Sequence, residues 1–516
     1  MTLALFLAIT FGATGIALLV SRRPAASAIV GLAGLVLALV AALALDPNEQ
    51  VTVGGAVVAT SAYLRLFLIL GSSFGLVLAV VGMATGSRRD APAVTLGVLG
   101  AAALAMSLAD PRIAVLAITA GGLLAVLLTI VPGGDRAAAT IGTLELRALV
   151  VAGAMAIAAA AWIGRDLSQL VAQPVVFGLC YLAFALAVAI RFGAIPFHIW
   201  AARLTDTVPE AALPIITAWG PAAFAVVALA WTDQSVAPLL VEMDAERAIV
   251  LGIAIATIVL AAFAAWLQDD LEHVLGYSII GDAGVILLAI AALDPDAWAP
   301  ARIWILAFVV TRSAFAAWAA SLRSTYGTGR IPDLRGWAVR TPVLAIALGL
   351  IILAGIGLPG LAAFDARASL VHLAVPGPFG ALVLLGTFAP LAYEIRLFVV
   401  GARRPPAEVA APVGRGGLPR RTPLDVNDVR GSAGTFWSAN RAAIAALLTV
   451  VLAVGSLVVA AGGLGGPEAA AGVAPGAEGP SESFEPAPEP GASFEIPSPV
   501  PGEASPGDSF QPIPTN

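Results

Sequence analysis

The sequence contains no lysine, and all 27 of its basic side chains are arginines. It has a single cysteine, Cys180, and three widely separated histidines, His198, His273 and His372. One cysteine excludes an internal disulfide and a cluster of thiolate metal ligands. The HExxH, GxGxxG and phosphate-loop patterns are also missing. We therefore expect no cofactor, no metal site and no redox centre in this chain.

Charge is scarce. Only 12% of the residues are charged and 59% are hydrophobic, and the mean hydropathy is +0.94. Soluble domains are about one quarter charged, so the composition predicts an all-α polytopic membrane protein. Eight of the 33 acids follow Pro467, where no base occurs, and the preceding part is nearly neutral. Nothing in this balance points to a nucleic-acid partner.

Fourteen apolar segments are long enough to be candidate membrane helices, each needing about 20 residues. The predicted segments are 3–20, 27–45, 65–86, 91–109, 112–132, 147–163, 174–200, 209–231, 247–267, 271–293, 301–322, 341–374, 376–400 and 441–462. The first of them has no basic residue before it and two arginines after it. We interpret it as a spanning helix with its N-terminus outside, not as a cleaved signal.

The arginines support this topology. With the N-terminus outside the cell, eighteen arginines fall in or beside inner loops and five on the outer side. Such an excess of inner positive charge is typical of inner-membrane proteins. The five outer arginines are Arg65, Arg112, Arg165, Arg247 and Arg302.

The sequence also predicts five regions. We expect an N-terminal three-helix region over 1–90, a transmembrane core over 91–400, a basic cytoplasmic loop over 401–440 and a last helix over 441–462. Residues 463–516 are rich in Pro, Gly, Ala, Ser and Glu. This composition predicts a disordered tail, which the topology places outside.

Two of the segments contain helix-breaking residues. Pro196 interrupts the seventh, and Gly355, Gly357, Pro359 and Gly360 interrupt the twelfth. Broken helices free backbone carbonyls, which are tolerated at membrane depth only inside protein or beside water. An ion site and a simple packing kink explain the breaks about equally well.

Several charges fall inside the predicted helices, chiefly Arg191, Asp282, Arg312 and Arg367. Because a charge in the bilayer centre is costly, each must pair or face a polar interior. His198 lies two helical turns beyond Arg191, so the two share a face if the break does not rotate it. A polar line for ions and a set of interhelical clamps both remain open.

Three other charges near helix ends or breaks have simpler interpretations. We expect Glu394 and Arg396 to snorkel to a helix end. Asp365 lies two residues before Arg367, and an irregular backbone there would allow a local ion pair.

Three motifs make a specific resemblance. "RFGAIPFHIWAARLTDTVPEAALP", "QDDLEHVLGYSIIGDAGVILL" and "IPDLRGWAVRTPVLAIALGLIILAGIGLPGLAAFDAR" occur in this order. They resemble signatures of the antiporter-like subunits of respiratory complex I, above all NADH-quinone oxidoreductase subunit N, over most of 90–400. That superfamily includes subunits of Mrp-type cation/proton antiporters and membrane-bound hydrogenases. The resemblance implies fourteen helices with two inverted five-helix repeats, interrupted seventh and twelfth helices, and membrane subunits of such an assembly as partners.

The resemblance also implies a central line of proton-carrying residues, on which this chain departs. The implied fifth-helix Glu falls at about Ala120, and the eighth-helix Lys at about Pro221. The implied Lys residues of the seventh and twelfth helices become Arg191 and Arg367. A Lys-Arg pair becomes Glu272-His273, and a His becomes Asp282.

Arginine stays charged in proteins and cannot pass a proton itself, whereas a buried lysine can. If protons cross, the switching groups must therefore be His198, Asp206, Glu210 or Asp282. The expected function is proton, or cation/proton, translocation along a modified axis within a complex I- or Mrp-like assembly. The alternatives are a non-conducting scaffold subunit and a stand-alone secondary transporter whose arginines bind an organic anion.

Overall fold

The computed structural model describes residues 2–86, 91–130, 136–163, 173–237, 241–404 and 433–472. In chain order its α-helices are α1 (Thr2–Leu19), α2 (Pro24–Leu43), α3 (Ala62–Thr85), α4 (Ala91–Ser107), α5 (Pro111–Ile130), α6 (Arg136–Ile163), α7 (Pro174–Phe192), α8 (Ile199–Leu204), α9 (Gly220–Trp231), α10 (Asp244–Leu267), α11 (Leu271–Ala292), α12 (Trp298–Tyr326), α13 (Trp337–Arg340), α14 (Pro342–Ile356), α15 (Ala362–Ala374), α16 (Pro378–Gly386), α17 (Pro390–Ala402), α18 (Ala433–Ala460) and α19 (Gly466–Ala471).

Short π and 3₁₀ turns join some of these helices. The π turns are Ile215–Trp219 and Thr232–Val236, and the 3₁₀ turns are Pro295–Ala297, Ile331–Leu334 and Gly463–Gly465. One antiparallel hairpin, β1 (Gln50–Val53) and β2 (Ala56–Ala59), lies between α2 and α3. Its two-residue turn is Gly54-Gly55, both at positive φ, which glycine adopts without strain.

The described residues contain ten helices long and apolar enough to cross a membrane, and four shorter apolar helices. Each of the fourteen predicted segments overlaps one of these fourteen helices. The all-α polytopic fold is thus confirmed. Because four of the helices are short, the number of crossings stays a prediction.

Both predicted breaks are present. α7 starts with Pro174 and ends at Gly193, whose φ of 66° turns the chain out of the helix before Pro196. The twelfth segment divides into α14 and α15, with Gly357 and Gly360 at positive φ between them. The thirteenth segment, predicted to be continuous, bends as well, because a turn at residues 387–389 separates α16 from α17.

Helices α11 and α12 form the centre of the bundle and are buried along almost their whole length. α10, α16 and α17 leave large apolar side chains exposed, as a lipid-facing surface requires. A charge on α11 or α12 therefore lies deep inside protein, and the fold brings Asp282 and Arg312 there.

The prediction of a disordered tail from residue 463 is wrong for its first ten residues. Residues 463–472 form a 3₁₀ turn and α19, and Ala470 is fully buried. The buried Arg302, beneath the Tyr63 ring, donates to the carbonyls of Ala470 and Gly472. The carbonyls at the C-terminal end of a helix carry partial negative charge and favour a nearby cation. The hydrogen bonds from Arg302 therefore explain why residues 463–472 are ordered although their hydropathy is low. Residues 473–516, and 405–432 of the predicted loop, lie outside the described part.

Candidate functional site

Asp282 and Arg312 form an ion pair at the centre of the bundle. The Arg312 Nε donates to Asp282 Oδ2 at 2.5 Å, from α12 to α11. Both side chains are buried, so neither is solvated by bulk water. A charge-assisted bond of this length, removed from water, holds the two helices in fixed register.

Glu394 on α17 approaches the same guanidinium. Its Oε1 lies 3.9 Å from Arg312 Nη1, and its Oε2 has no hydrogen-bond partner among the described residues. The expectation that Glu394 snorkels is wrong, because its side chain is buried and lies beside Arg312 in the interior. Arg396 does lie at the edge, where it donates to the carbonyls of Trp266 and Gln268 and to Asp269.

Arg367 on α15 adds a second buried arginine. Its Nη2 donates to the carbonyl of Ile356, one of the groups freed where α14 ends. The guanidinium also lies 4.7 Å from the Phe388 ring centre. Asp365 is exposed, and no ion pair between Asp365 and Arg367 exists in the described structure. The break thus supplies a backbone acceptor in place of the expected local partner.

We call Asp282, Arg312, Arg367 and Glu394 the second-half cluster. A small cavity lies against it, lined by Asp282, Arg312, Arg367, Trp304 and Thr387. The space open to the centre of a water molecule is about 10 Å³, enough for about one water. Arg367 Nε and Arg312 Nη1 lack hydrogen-bond partners among the described residues, so polar atoms there remain available.

Arg191 lies elsewhere, at the end of α7, which packs against α6. The charged group on α6 that acts on it is Glu145, although the two form no ion pair or hydrogen bond among the described residues. Glu145 is 0% exposed, and neither carboxylate oxygen has a hydrogen-bond partner in the described part of the chain. Sequence reasoning missed this residue because the sixth segment was predicted to start at 147, whereas α6 starts at Arg136. We call Glu145 and Arg191 the first-half pair.

Two glycines make room for the first-half pair. A Cβ atom added to Gly122 on α5 would lie 3.0 Å from Arg191 Nη2, and one added to Gly220 would lie 3.2 Å from it. Ala120, where the resemblance put an acid, is exposed and faces away. Pro221 is buried beside Gly220. The acid that acts on Arg191 therefore comes from α6, and at Gly122 and Gly220 the helices α5 and α9 leave space for the guanidinium.

Asp206, Glu210 and their partners form a third group, which we call the edge network. His273 Nε2 lies 3.0 Å from Asp206 Oδ1, and Arg203 lies 3.6 Å from the same carboxylate. Arg323 Nη1 donates to Glu210 Oε1 at 2.8 Å and to Glu272 Oε2 at 3.3 Å. Arg323 is half exposed and Glu210 is buried, so the network leads from the surface inward.

His198 does not continue the Arg191 face. The chain turns at Gly193, and the His198 ring lies 6.2 Å from Tyr277 on α11. Its Nδ1 is buried without a hydrogen-bond partner among the described residues. The structure therefore separates two residues that an unbroken helix would have aligned.

A polar contact lies between the first-half pair and the second-half cluster. Trp219 Nε1 donates to Ser313 Oγ at 3.0 Å. Trp219 precedes Gly220, which adjoins Arg191, and Ser313 follows Arg312. This buried hydrogen bond thus joins a residue next to the first-half pair to a residue next to the second-half cluster.

Within the described ranges, no three His, Cys, Asp or Glu side chains converge as metal ligands. Asp282, Glu394 and Glu210 each lie beside an arginine, and Asp206 lies beside His273. Glu145 has no hydrogen-bond partner among the described residues. The arrangement can hold charge, water and protons, and it offers carboxylates as the groups that change protonation state.

Comparisons with known proteins give the same fold. Residues 140–391 match the family described as NADH:quinone oxidoreductase/Mrp antiporter, TM. The chain is 31% identical over 211 residues to NADH-quinone oxidoreductase subunit N of Hydrogenovibrio crunogenus, which covers 40% of this chain and 43% of the relative. The chain spans about half the length of the curated relatives it matches.

Solved structures match over more of the chain. A chain of the Mrp complex from Dietzia sp. DQ12-45-1b has a TM-score of 0.67 at 18% identity, covering 91% of this chain and 97% of that one. A chain of respiratory complex I from Thermus thermophilus with bound NADH has a TM-score of 0.65 at 20% identity, covering 93% and 100%. This protein therefore has the fold of these chains of the Mrp complex and respiratory complex I, and its residues 140–391 are similar to the NADH:quinone oxidoreductase/Mrp antiporter family.

Proposed function

We propose that this chain is a proton-translocating, or cation/proton-translocating, subunit of a membrane assembly of the complex I or Mrp kind. Other membrane subunits of such an assembly are its partners. It lies in the inner (plasma) membrane with its N-terminus and acidic tail outside. The observation that carries the proposal is the second-half cluster, in which two acids and two arginines are buried beside a broken helix and a water-sized cavity.

In this proposal the arginines are fixed charges and the acids are carriers. Arg312 and Arg367 lower the cost of burying Asp282 and Glu394, but they do not release protons. Glu394 is the better carrier of the two, because it lies 3.9 Å from Arg312 and has a free oxygen among the described atoms. Asp282 is held at 2.5 Å and fixes the geometry.

The edge network supplies the inlet. Arg203 and Arg323 belong to the side that the arginine asymmetry makes cytoplasmic, so Asp206 and Glu210 lie where protons would enter from inside. His273 Nε2 lies 3.0 Å from Asp206 Oδ1 there, so a proton can pass between these two side chains. A proton taken up at this edge would pass through water toward the carboxylates at the centre.

The test is proton flux driven by a pH gradient, measured with the co-purifying assembly reconstituted in vesicles. The variant is Glu394→Gln, which keeps the size and removes the titrating group. The matched control is Asp365→Asn, an exposed acid near the same helix break. We expect flux to fall at least about tenfold in Glu394→Gln and to stay near wild type in the control.

A specific observation favours one other function. The 2.5 Å Asp282–Arg312 bond and the Arg367–Ile356 contact are what a clamp needs, as in a scaffold subunit that conducts nothing. Wild-type flux no greater than that of protein-free vesicles would reject translocation and leave the scaffold. Equal flux in wild type and Glu394→Gln would reject Glu394 as carrier.

A further inference from the structure

We propose that Glu145 is the proton-carrying group of the first half of the bundle, with Arg191 as its fixed positive neighbour. The inference rests on the proposed function and adds a site to it. Neither the composition nor the motifs single out this residue. Its burial, its free oxygens and its single charged neighbour do.

The carboxylate of Glu145 is balanced between two opposing effects. Full burial without a hydrogen bond favours the neutral acid, because nothing replaces the water lost by the charge. The positive charge of Arg191, on the helix α7 that packs against α6, favours the carboxylate. A group with both influences can change state, whereas Arg191 itself cannot.

No other charge competes for either partner. Among the described residues Glu145 is the one charged group that acts on Arg191, and Arg191 is the one that acts on Glu145. α5 and α9, which adjoin the guanidinium, present Gly122 and Gly220 there. Arg191 Nη1 also has no hydrogen-bond partner in the described structure.

The chemistry is a simple transfer. An O–H bond forms at a Glu145 oxygen with a proton delivered by water from the inner side, and the same bond breaks when water on the other side accepts it. Arg191 keeps its charge throughout and sets the electrostatic environment. Arg191 is a positioning residue, and Glu145 is the group that reacts.

The first readout is flux in vesicles. Glu145→Gln should lower flux at least about tenfold, and Glu145→Asp should retain more of it than Glu145→Gln. Glu242→Gln, at an exposed acid before α10, is the matched control and should behave as wild type. Flux in Glu145→Gln equal to that in wild type would overturn the inference.

The second readout does not depend on transport. Infrared difference spectra recorded across a pH titration should show a buried carboxyl band in wild type that Glu145→Gln lacks. In Arg191→Met the positive charge is gone, so this band should persist to higher pH. If wild type conducts no protons but the band titrates, the proposed function fails and Glu145 still exchanges protons. A band that survives in Glu145→Gln, or is absent from wild type, overturns the inference.

Discussion

The first-half pair and the second-half cluster both contain arginine and carboxylate side chains, but these groups are hydrogen-bonded differently in the two sites. Each places a buried arginine against a buried acid, close to a broken helix. In the second half Asp282 accepts a 2.5 Å bond from Arg312. In the first half Glu145 accepts no hydrogen bond among the described residues. Burial alone therefore does not decide which acid changes protonation. An acid that is hydrogen-bonded to an arginine holds two helices together, whereas a buried acid without a hydrogen bond is free to gain or lose a proton.

The second-half cluster repeats the contrast internally. Asp282 is bonded to Arg312 Nε, whereas Glu394 stands 3.9 Å from Nη1 and keeps one oxygen unbonded. Arg312 thus faces one acid that is hydrogen-bonded to it, Asp282, and one that is not, Glu394. This division lets a single site fix the helices and still offer a carrier.

The largest effect should come from breaking the locked pair. Asp282→Ala leaves Arg312 buried without its bonded partner, which typically costs about 3–5 kcal/mol. Chemical unfolding in mixed micelles measures the change in stability. Asp365→Ala, at an exposed acid, should change it by no more than about 0.5 kcal/mol. Equal stabilities of the two variants would show that the Asp282–Arg312 bond does not clamp the bundle.

A smaller effect should come from filling the space beside Arg191. In Gly220→Ala the new methyl group would meet Arg191 Nη2 at 3.2 Å, and overpacking of this kind costs about 1–3 kcal/mol. Gly252→Ala on α10 is the control, because its Cβ meets nothing within 4 Å. That change should be neutral or stabilising by up to about 1 kcal/mol. If Gly220→Ala is as stable as its control, Arg191 is not held where the structure places it.

The smallest stability effect should be that of Glu145→Gln. Unlike Asp282, Glu145 forms neither a hydrogen bond nor an ion pair with its arginine among the described residues, so we expect a loss of less than about 1 kcal/mol, although flux should collapse. The same unfolding assay decides this. A loss comparable to that of Asp282→Ala would mean that both halves are clamps, and the contrast between them would disappear.

Much of this was predictable from sequence. Apolar run length placed the helices, and the cost of charge in lipid singled out Arg191, Asp282, Arg312 and Arg367, all of which are buried. The breaks near Pro196 and Pro359 followed from the conformational limits of proline and glycine.

The partners were not predictable, for physical reasons. Asp282 and Arg312 come from the consecutive helices α11 and α12 and Glu394 from the more distant α17, and which faces of these helices touch is a property of packing. Glu145 was missed because a charged residue at the edge of an apolar segment was taken as its boundary. The sixth segment was therefore predicted to begin at 147, whereas α6 begins at Arg136. The burial of Glu394 was missed because the sequence does not show which face of α17 lies beside Arg312. Ala120, the position implied for the fifth-helix Glu, is two residues from Gly122, which faces Arg191.

The central claim is that carboxylates, not arginines, carry the protons. The most direct measurement compares pH-gradient-driven flux in Arg191→Lys and Glu145→Gln, reconstituted with the same co-purifying assembly. The account predicts flux within about twofold of wild type for Arg191→Lys, which keeps the positive charge, and a loss of at least about tenfold for Glu145→Gln. Normal flux in Glu145→Gln together with loss in Arg191→Lys would contradict it.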